Sequence, residues 1–157
     1  TAEELADLTA FEPGRRLDDN AAVLLRFDGG AKGMIWASQI APGTKNALRF
    51  RIAGERGGLA WDQEDPDLLE FTPLGDTTRL LRRGDGLTQT PSRIPSGHPE
   101  GYLEAFATLY ADAADLIEGK GLASTRALAT AEDGLAGMRF IRACVRSNGA
   151  GGMWTAA

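Results

Sequence analysis

Residues 20–40, NAAVLLRFDGGAKGMIWASQI, decide how this chain is to be read. Two β-rich runs, 20–27 and 31–40, flank Asp28-Gly29-Gly30. A short glycine-containing connection between two such runs signals a hairpin, because glycine supplies the positive φ that tight turns demand. Both runs are apolar at consecutive positions, not only at alternate ones. In the second run Met34, Trp36 and Ile40 fall on one side and Ile35 and Ala37 on the other. In the first, Val23, Leu25 and Phe27 fall on one side and Ala22 and Leu24 on the other. A sheet containing such strands has apolar residues on two faces, and an open antiparallel sheet normally has them on one.

Working outward, residues 4–11 (ELADLTAF) alternate loosely and read as a strand, with a helix start from a Thr1–Glu4 capping box as the alternative. Pro13-Gly14 and Asp18-Asp19-Asn20 bracket a polar loop. On the other side, 46–54 (NALRFRIAG) puts Leu48, Phe50 and Ile52 on one face and Arg49 and Arg51 on the other. Glu55–Gly58 turns the chain into 59–63, and short strands are predicted at 68–72 and 78–82. Residues 84–97, rich in Gly, Pro, Ser and Thr, read as a long irregular connection.

Helical periodicity begins at Pro99, which suits a first helical position, and runs to Glu118 through Tyr102, Phe106, Leu109, Ala113, Leu116 and Ile117. Gly119 and Gly121 end it. A second helix starts at the cap Thr130, has Glu132 and Asp133 in its first turn, and carries the stripe Leu135, Met138, Ile141 and Val145. Gly149 closes it, and 152–156 is a candidate last strand. The pattern predicts an α+β fold in a single domain spanning 1–157: an open, predominantly antiparallel sheet with two long helices packed on one face.

Area then decides what the other face does. Strands of eight residues span about 27 Å and six strands about 29 Å, giving roughly 800 Å² per face. Two helices cover about 600 Å². One face is served, and the second is expected to meet a partner copy, since an apolar patch of several hundred Å² marks an interface. The alternative is that the loops at 1–16 and 84–97 fold over it.

Composition excludes several classes. A net charge of −5 and a pI near 4.9, with only scattered basic residues, argue against nucleic acid. The longest apolar runs are too short for a membrane span. With one cysteine, Cys144, the chain forms no internal disulfide or thiolate metal cluster. Cytoplasmic localisation is expected. The chain begins with Thr1, which reads as part of something longer. Gly54-x-x-Gly57-Gly58 is a hairpin turn between strands rather than a phosphate cradle. The acidic run 62–67 lacks the glycine and glutamate of a calcium loop and reads as a solvated turn. No metal site and no catalytic residue are identified.

Three residues are candidates for contact with a small molecule. His98, in Ser96-Gly97-His98-Pro99-Glu100-Gly101, stands at the predicted helix start, where the helix dipole favours a neutral ring able to hydrogen-bond a hydroxyl. The competing reading makes it a helix cap satisfied by backbone. Trp36 is either a sugar platform or part of a core or interface. Arg16 either faces substrate or is, with Arg15, a solvated loop charge.

The strings D-D-x-A (18–21), R-F-x-x-G (26–30), G-x-x-G-x-L-x-W (54–61) and G-H-P-E-G-Y (97–102), in this order, resemble the C-terminal domain of the Gfo/Idh/MocA (glucose-fructose oxidoreductase / inositol dehydrogenase) oxidoreductases over residues 4–156. The resemblance implies a parent with an N-terminal NAD- or NADP-binding Rossmann domain. It also implies a second domain whose free sheet face assembles dimers or tetramers and which contributes part of a sugar or polyol pocket. The family's dinucleotide fingerprint and catalytic lysine motif have no counterpart here, so only His98 is carried over as near the pocket. Two readings follow. In the first, the chain is the substrate-side and dimerisation domain of such a dehydrogenase, with the cofactor bound elsewhere. In the second, it is a non-catalytic self-associating scaffold or ligand-binding module. A hydrolase built on His98 lacks a nucleophile elbow and an orienting partner.

Overall fold

The computed structural model describes residues 1–85, 92–121 and 128–157. The chain is α+β, with eight strands and two helices: β1 (Glu3–Thr9), β2 (Asn20–Arg26), β3 (Lys32–Ser38), β4 (Arg49–Gly54), β5 (Gly57–Asp62), β6 (Leu68–Pro73), β7 (Arg79–Arg82), α1 (Tyr102–Ile117), α2 (Ala131–Gly149) and β8 (Thr155–Ala156). It divides into two compact units, 1–43 with 129–157, and 44–128. All strand pairing is antiparallel, but the strands form two four-stranded sheets, β3-β2-β1-β8 and β4-β5-β6-β7, rather than the one sheet expected.

In the first unit, β2 and β3 form the expected hairpin with Ala22 opposite Trp36 and Leu24 opposite Met34. Gly30 takes φ 83°, and its N–H closes the turn on the Phe27 carbonyl at 2.9 Å. Residues 3–9 are a strand, settling the ambiguity at the N-terminus. Helix α2 packs on β1 and β8. Thr130 is its cap, as expected, and a capping box joins Thr130 to Asp133.

The predicted stripe of α2 is not its packing face. Leu135, Met138, Ile141 and Val145 are each more than half exposed. Cys144, with Phe140 at the margin, meets Ala6, Val23 and Leu25 instead, and its neighbour Ala143 is fully buried. Small residues permit close approach of helix and sheet, and this outweighs side-chain size in choosing the face.

Ser147 completes the contact. Its buried hydroxyl accepts from Ala6 N–H at 2.9 Å and donates to the Met153 carbonyl at 2.6 Å. Asn148 Oδ1 accepts from Leu8 N–H at 2.9 Å. Strand β8 pairs only with Glu3 and Glu4, so these helix side chains satisfy backbone donors on the remainder of the β1 edge. Glu4 is fully buried, and its carboxylate accepts from the Thr1 hydroxyl. Burial, and secondarily the charge of Glu4, push the Cys144 thiol up from its usual range, so it stays protonated.

The other face of this sheet is open. Met34 is 77% exposed, Trp36 65% and Leu24 44%. Register places all three on the face away from Val23 and Leu25.

In the second unit, β4 and β5 are joined by a hairpin in which Gly54 pairs with Gly57. Gly57 has φ 153°, and a Cβ there would lie 2.5 Å from the Thr72 carbonyl oxygen. Glycine at 57 is therefore required by the close approach of β6. Phe50 stacks on Trp61 at 5.6 Å between ring centroids. Helix α1 begins at Tyr102, three residues later than predicted. Gly101 is its cap, and Glu104 reaches back to the Gly101 N–H at 2.9 Å. Pro99 lies outside the helix. Among the described residues no helix is long and apolar enough to cross a membrane.

Candidate functional site

The loop before α1 is built around a buried carboxylate. Glu100 is 5% exposed and accepts from the Ser92 hydroxyl and from Arg93 N–H, the latter at 2.8 Å. Its own N–H donates to Asp67 Oδ2 at 3.1 Å, while Arg83 Nε donates to Asp67 Oδ1 at 2.7 Å. One aspartate from the acidic run thus ties the loop to the segment after β7. Two more carboxylates of that run are paired: Arg49 meets Asp62 at 2.7 Å and Glu64 at 3.5 Å. These carboxylates brace arginines and loops, so the solvated-turn reading missed their structural work.

Charge-assisted bonds of this kind are short and directional, and they hold a loop that apolar packing does not. Glu104 adds to the same brace. The Gly101 N–H that it accepts, more than any other partner, keeps its carboxyl below the usual carboxylate range.

His98 stands on this braced loop. Its Nδ1 lies 3.0 Å from the Pro95 carbonyl oxygen. A carbonyl only accepts, so Nδ1 carries the hydrogen, and in the neutral ring Nε2 is then an unprotonated acceptor. The ring is exposed. One nitrogen is satisfied by backbone, as the capping alternative held, but its partner is a loop carbonyl and not a helix N–H. The dipole argument for a neutral ring loses its basis, because α1 starts four residues further on. The ring can accept a hydrogen bond from a hydroxyl of a small molecule.

The other two candidates lie in the first unit. Trp36 presents its ring on the open sheet face, and its Nε1 donates to Asn20 Oδ1 at 2.9 Å, which fixes the ring's orientation. Arg16 is exposed in the loop between β1 and β2.

The anchor of that loop is Asp19, which sequence reasoning passed over as part of a turn. Its side chain accepts from Phe11 N–H and Glu12 N–H, both at 2.9 Å, with Arg15 Nε 3.8 Å away. Those backbone donors, with the Arg15 charge as a lesser cause, hold its carboxyl below the usual range. The D-D-x-A string therefore encodes a loop clamp. Its signal was an aspartate directly before a strand, where a carboxylate can cap backbone N–H groups. The structure places Arg16 and Trp36 in one unit and His98 in the other.

The chain is thus an antiparallel α+β protein with a braced loop before α1 and an open sheet face, and comparison identifies its class. Residues 2–155 match the family described as oxidoreductase family, C-terminal alpha/beta domain (GFO_IDH_MocA_C). The chain belongs to this family. It is 32% identical over 162 residues to the uncharacterized oxidoreductase YfiI of Bacillus subtilis, covering 97% of this chain and 41% of that protein.

Among solved structures, an oxidoreductase from Sinorhizobium meliloti is 50% identical with a TM-score of 0.89, covering 97% of this chain and 45% of that one. An inositol dehydrogenase homolog from Azotobacter vinelandii, complexed with NADH and myo-inositol, is 30% identical with a TM-score of 0.88, covering 99% and 44%. The chain therefore spans less than half the length of the relatives it matches.

Proposed function

We propose that this chain is the substrate-side and self-association domain of an NAD- or NADP-dependent oxidoreductase acting on a sugar- or inositol-like alcohol. The observation that supports the reading is the exposed His98 ring, whose Nδ1 faces the Pro95 carbonyl and leaves Nε2 of the neutral ring as an acceptor, on a loop braced by buried Glu100. The likeness to a homolog complexed with NADH and myo-inositol supports it.

In this reading the nicotinamide, held by a part of the parent outside residues 1–157, supplies the hydride acceptor. His98 accepts a hydrogen bond from a substrate hydroxyl and orients the ring of the alcohol. It is not the acid/base, which is supplied from outside this chain. Trp36 and Arg16 are proposed as further substrate contacts. The two units act together as one domain. The open face bearing Leu24, Met34 and Trp36 is proposed to meet a second copy in a dimer or tetramer, because an apolar patch rimmed by charge is typical of an interface.

Steady-state NADH formation by the parent with inositols and aldoses tests the substrate class. His98→Ala is expected to raise KM for the preferred polyol about tenfold, the value of one hydrogen bond, with a smaller effect on kcat. Activity confined to substrates without vicinal hydroxyls would overturn the reading. So would micromolar NADH binding by residues 1–157 alone, which would put the cofactor site within this chain.

A further inference from the structure

The turn that carries His98 rests in a seat that the sequence pattern does not single out. Pro95-Ser96-Gly97-His98 closes by a hydrogen bond from His98 N–H to the Pro95 carbonyl at 3.2 Å, with Gly97 at φ 89°. The same carbonyl faces Nδ1 of the ring. The ring is thus tied to its own turn, and its direction follows that of the turn. The turn in its place lies against Gly84, just after β7. A Cβ at Gly84 would stand 3.1 Å from both Cα and Cβ of Ser96. Among the described glycines of positive φ, only Gly57 and Gly84 have a neighbour where a side chain would stand; Gly75 and Gly97 face open space.

Gly84 is itself held from Asp67. Arg83, the residue before it, donates its N–H to the Asp67 carbonyl at 2.9 Å and its Nε to Asp67 Oδ1 at 2.7 Å. Asp67 Oδ2 accepts from the N–H of Glu100, two residues beyond His98, at 3.1 Å. One aspartate therefore fixes both the seat and the far end of the loop.

We infer that Gly84 is a positioning residue for His98. Its bare Cα is the seat on which the turn is set, and a side chain there displaces Ser96 and re-aims the ring. The atoms met include the Ser96 backbone, so the crowding is relieved by moving the turn and not by rotating a side chain. A shift of about a few tenths of an ångström weakens a directional hydrogen bond to a substrate hydroxyl. The inference rests on the reading, proposed above, that His98 accepts from such a hydroxyl.

Gly84→Asn tests it, because asparagine adopts positive φ more readily than most residues with a side chain and so keeps the turn folded. Gly75→Asn is the control: its φ is 77° against 80° at Gly84, and nothing lies within 4 Å of an added Cβ. The chain has one histidine, so the imidazole nitrogens are read without ambiguity by heteronuclear NMR on the full chain, with circular dichroism to establish folding. At about pH 9, where a histidine ring is neutral, Gly84→Asn should shift the His98 nitrogen signals and Gly75→Asn should leave them unchanged. Ser96→Val, which enlarges the other side of the contact, should shift them as well. In the parent enzyme Gly84→Asn should raise KM for the polyol about fivefold with kcat little changed. It should add nothing to His98→Ala, since it acts only through that ring. Wild-type nitrogen signals in both Gly84→Asn and Ser96→Val would overturn the seat. A KM effect that persists in the His98→Ala background would overturn positioning through His98. Shifted signals with a wild-type polyol KM in both Gly84→Asn and His98→Ala would keep the seat and overturn the substrate contact on which its function rests.

Discussion

The two units of this chain are held together by different forces. Every fully buried apolar side chain among the described residues lies in the first unit: Ala6, Val23, Leu25, Ala143 and Cys144, between the sheet and α2. The buried residues of the second unit are Glu100 and Asp112. There the organising contacts are charged: Arg83–Asp67, Arg49–Asp62, and the Glu100 carboxylate on the backbone of Arg93. Apolar burial is non-directional and tolerates small shifts, whereas a charged hydrogen bond fixes a position and fails when one partner is removed. The loop that carries His98 is of the second kind.

This contrast can be broken from either side. The largest effect is expected from Leu25→Ala. Emptying a site only 7% exposed in the small core should cost about 3 kcal/mol of stability in urea denaturation. Hydrogen exchange should show protection lost across β1 and β2 and largely kept in β5 and β6. Equal loss in both sheets would mean that the units share one cooperative transition.

The converse variant, Glu100→Ala, strands the Arg93 N–H, while the Ser92 hydroxyl keeps the Ile94 carbonyl, and should cost about 1 kcal/mol. Its exchange signature should be confined to the loop and the start of α1. Should β1 and β2 respond as strongly, the assignment of the two forces to separate units would be wrong.

The smallest effect sharpens the comparison through pH. Asp19 has a folded pKa below its ordinary value, mainly because of the Phe11 and Glu12 N–H groups. A carboxylate depressed in the folded state stabilises above its unfolded pKa of about 3.9, and this stability is lost as pH falls toward the folded value. Asp19→Asn should therefore flatten the fall in Tm between neutral pH and pH 3, measured by thermal melts. A melt that falls as steeply in the variant as in the wild type would assign the acid sensitivity to other depressed carboxylates, Asp76, Glu104 and Asp133.

Where the local code is strong, the reading from sequence holds. The 20–40 hairpin, the strand at 3–9 and the Thr130 cap each follow from residues that act on their own backbone. It errs where two local signals compete. Pro99 suggested a helix start, yet the Gly101–Glu104 capping box three residues on prevails, because Glu100 is drawn into the loop. It errs again on α2, where the larger apolar residues suggested the packing face and the smaller ones occupy it. His98 was legible as a candidate. The brace that holds its loop was not, since Asp67, Arg83, Ser92 and Glu100 are scattered along the chain and meet only when folded.

The sequence by itself determined the element types, their order and the family, because periodicity, caps and turn glycines are local and survive without a fold. Tertiary structure alone decided that the strands divide between two sheets, that β8 returns to pair with β1, and that Ser147 and Asn148 close its edge. It also decided which charges are paired and which stand free. Those are contacts between residues distant in sequence, and their selection depends on how closely backbones approach and where buried polar groups find partners.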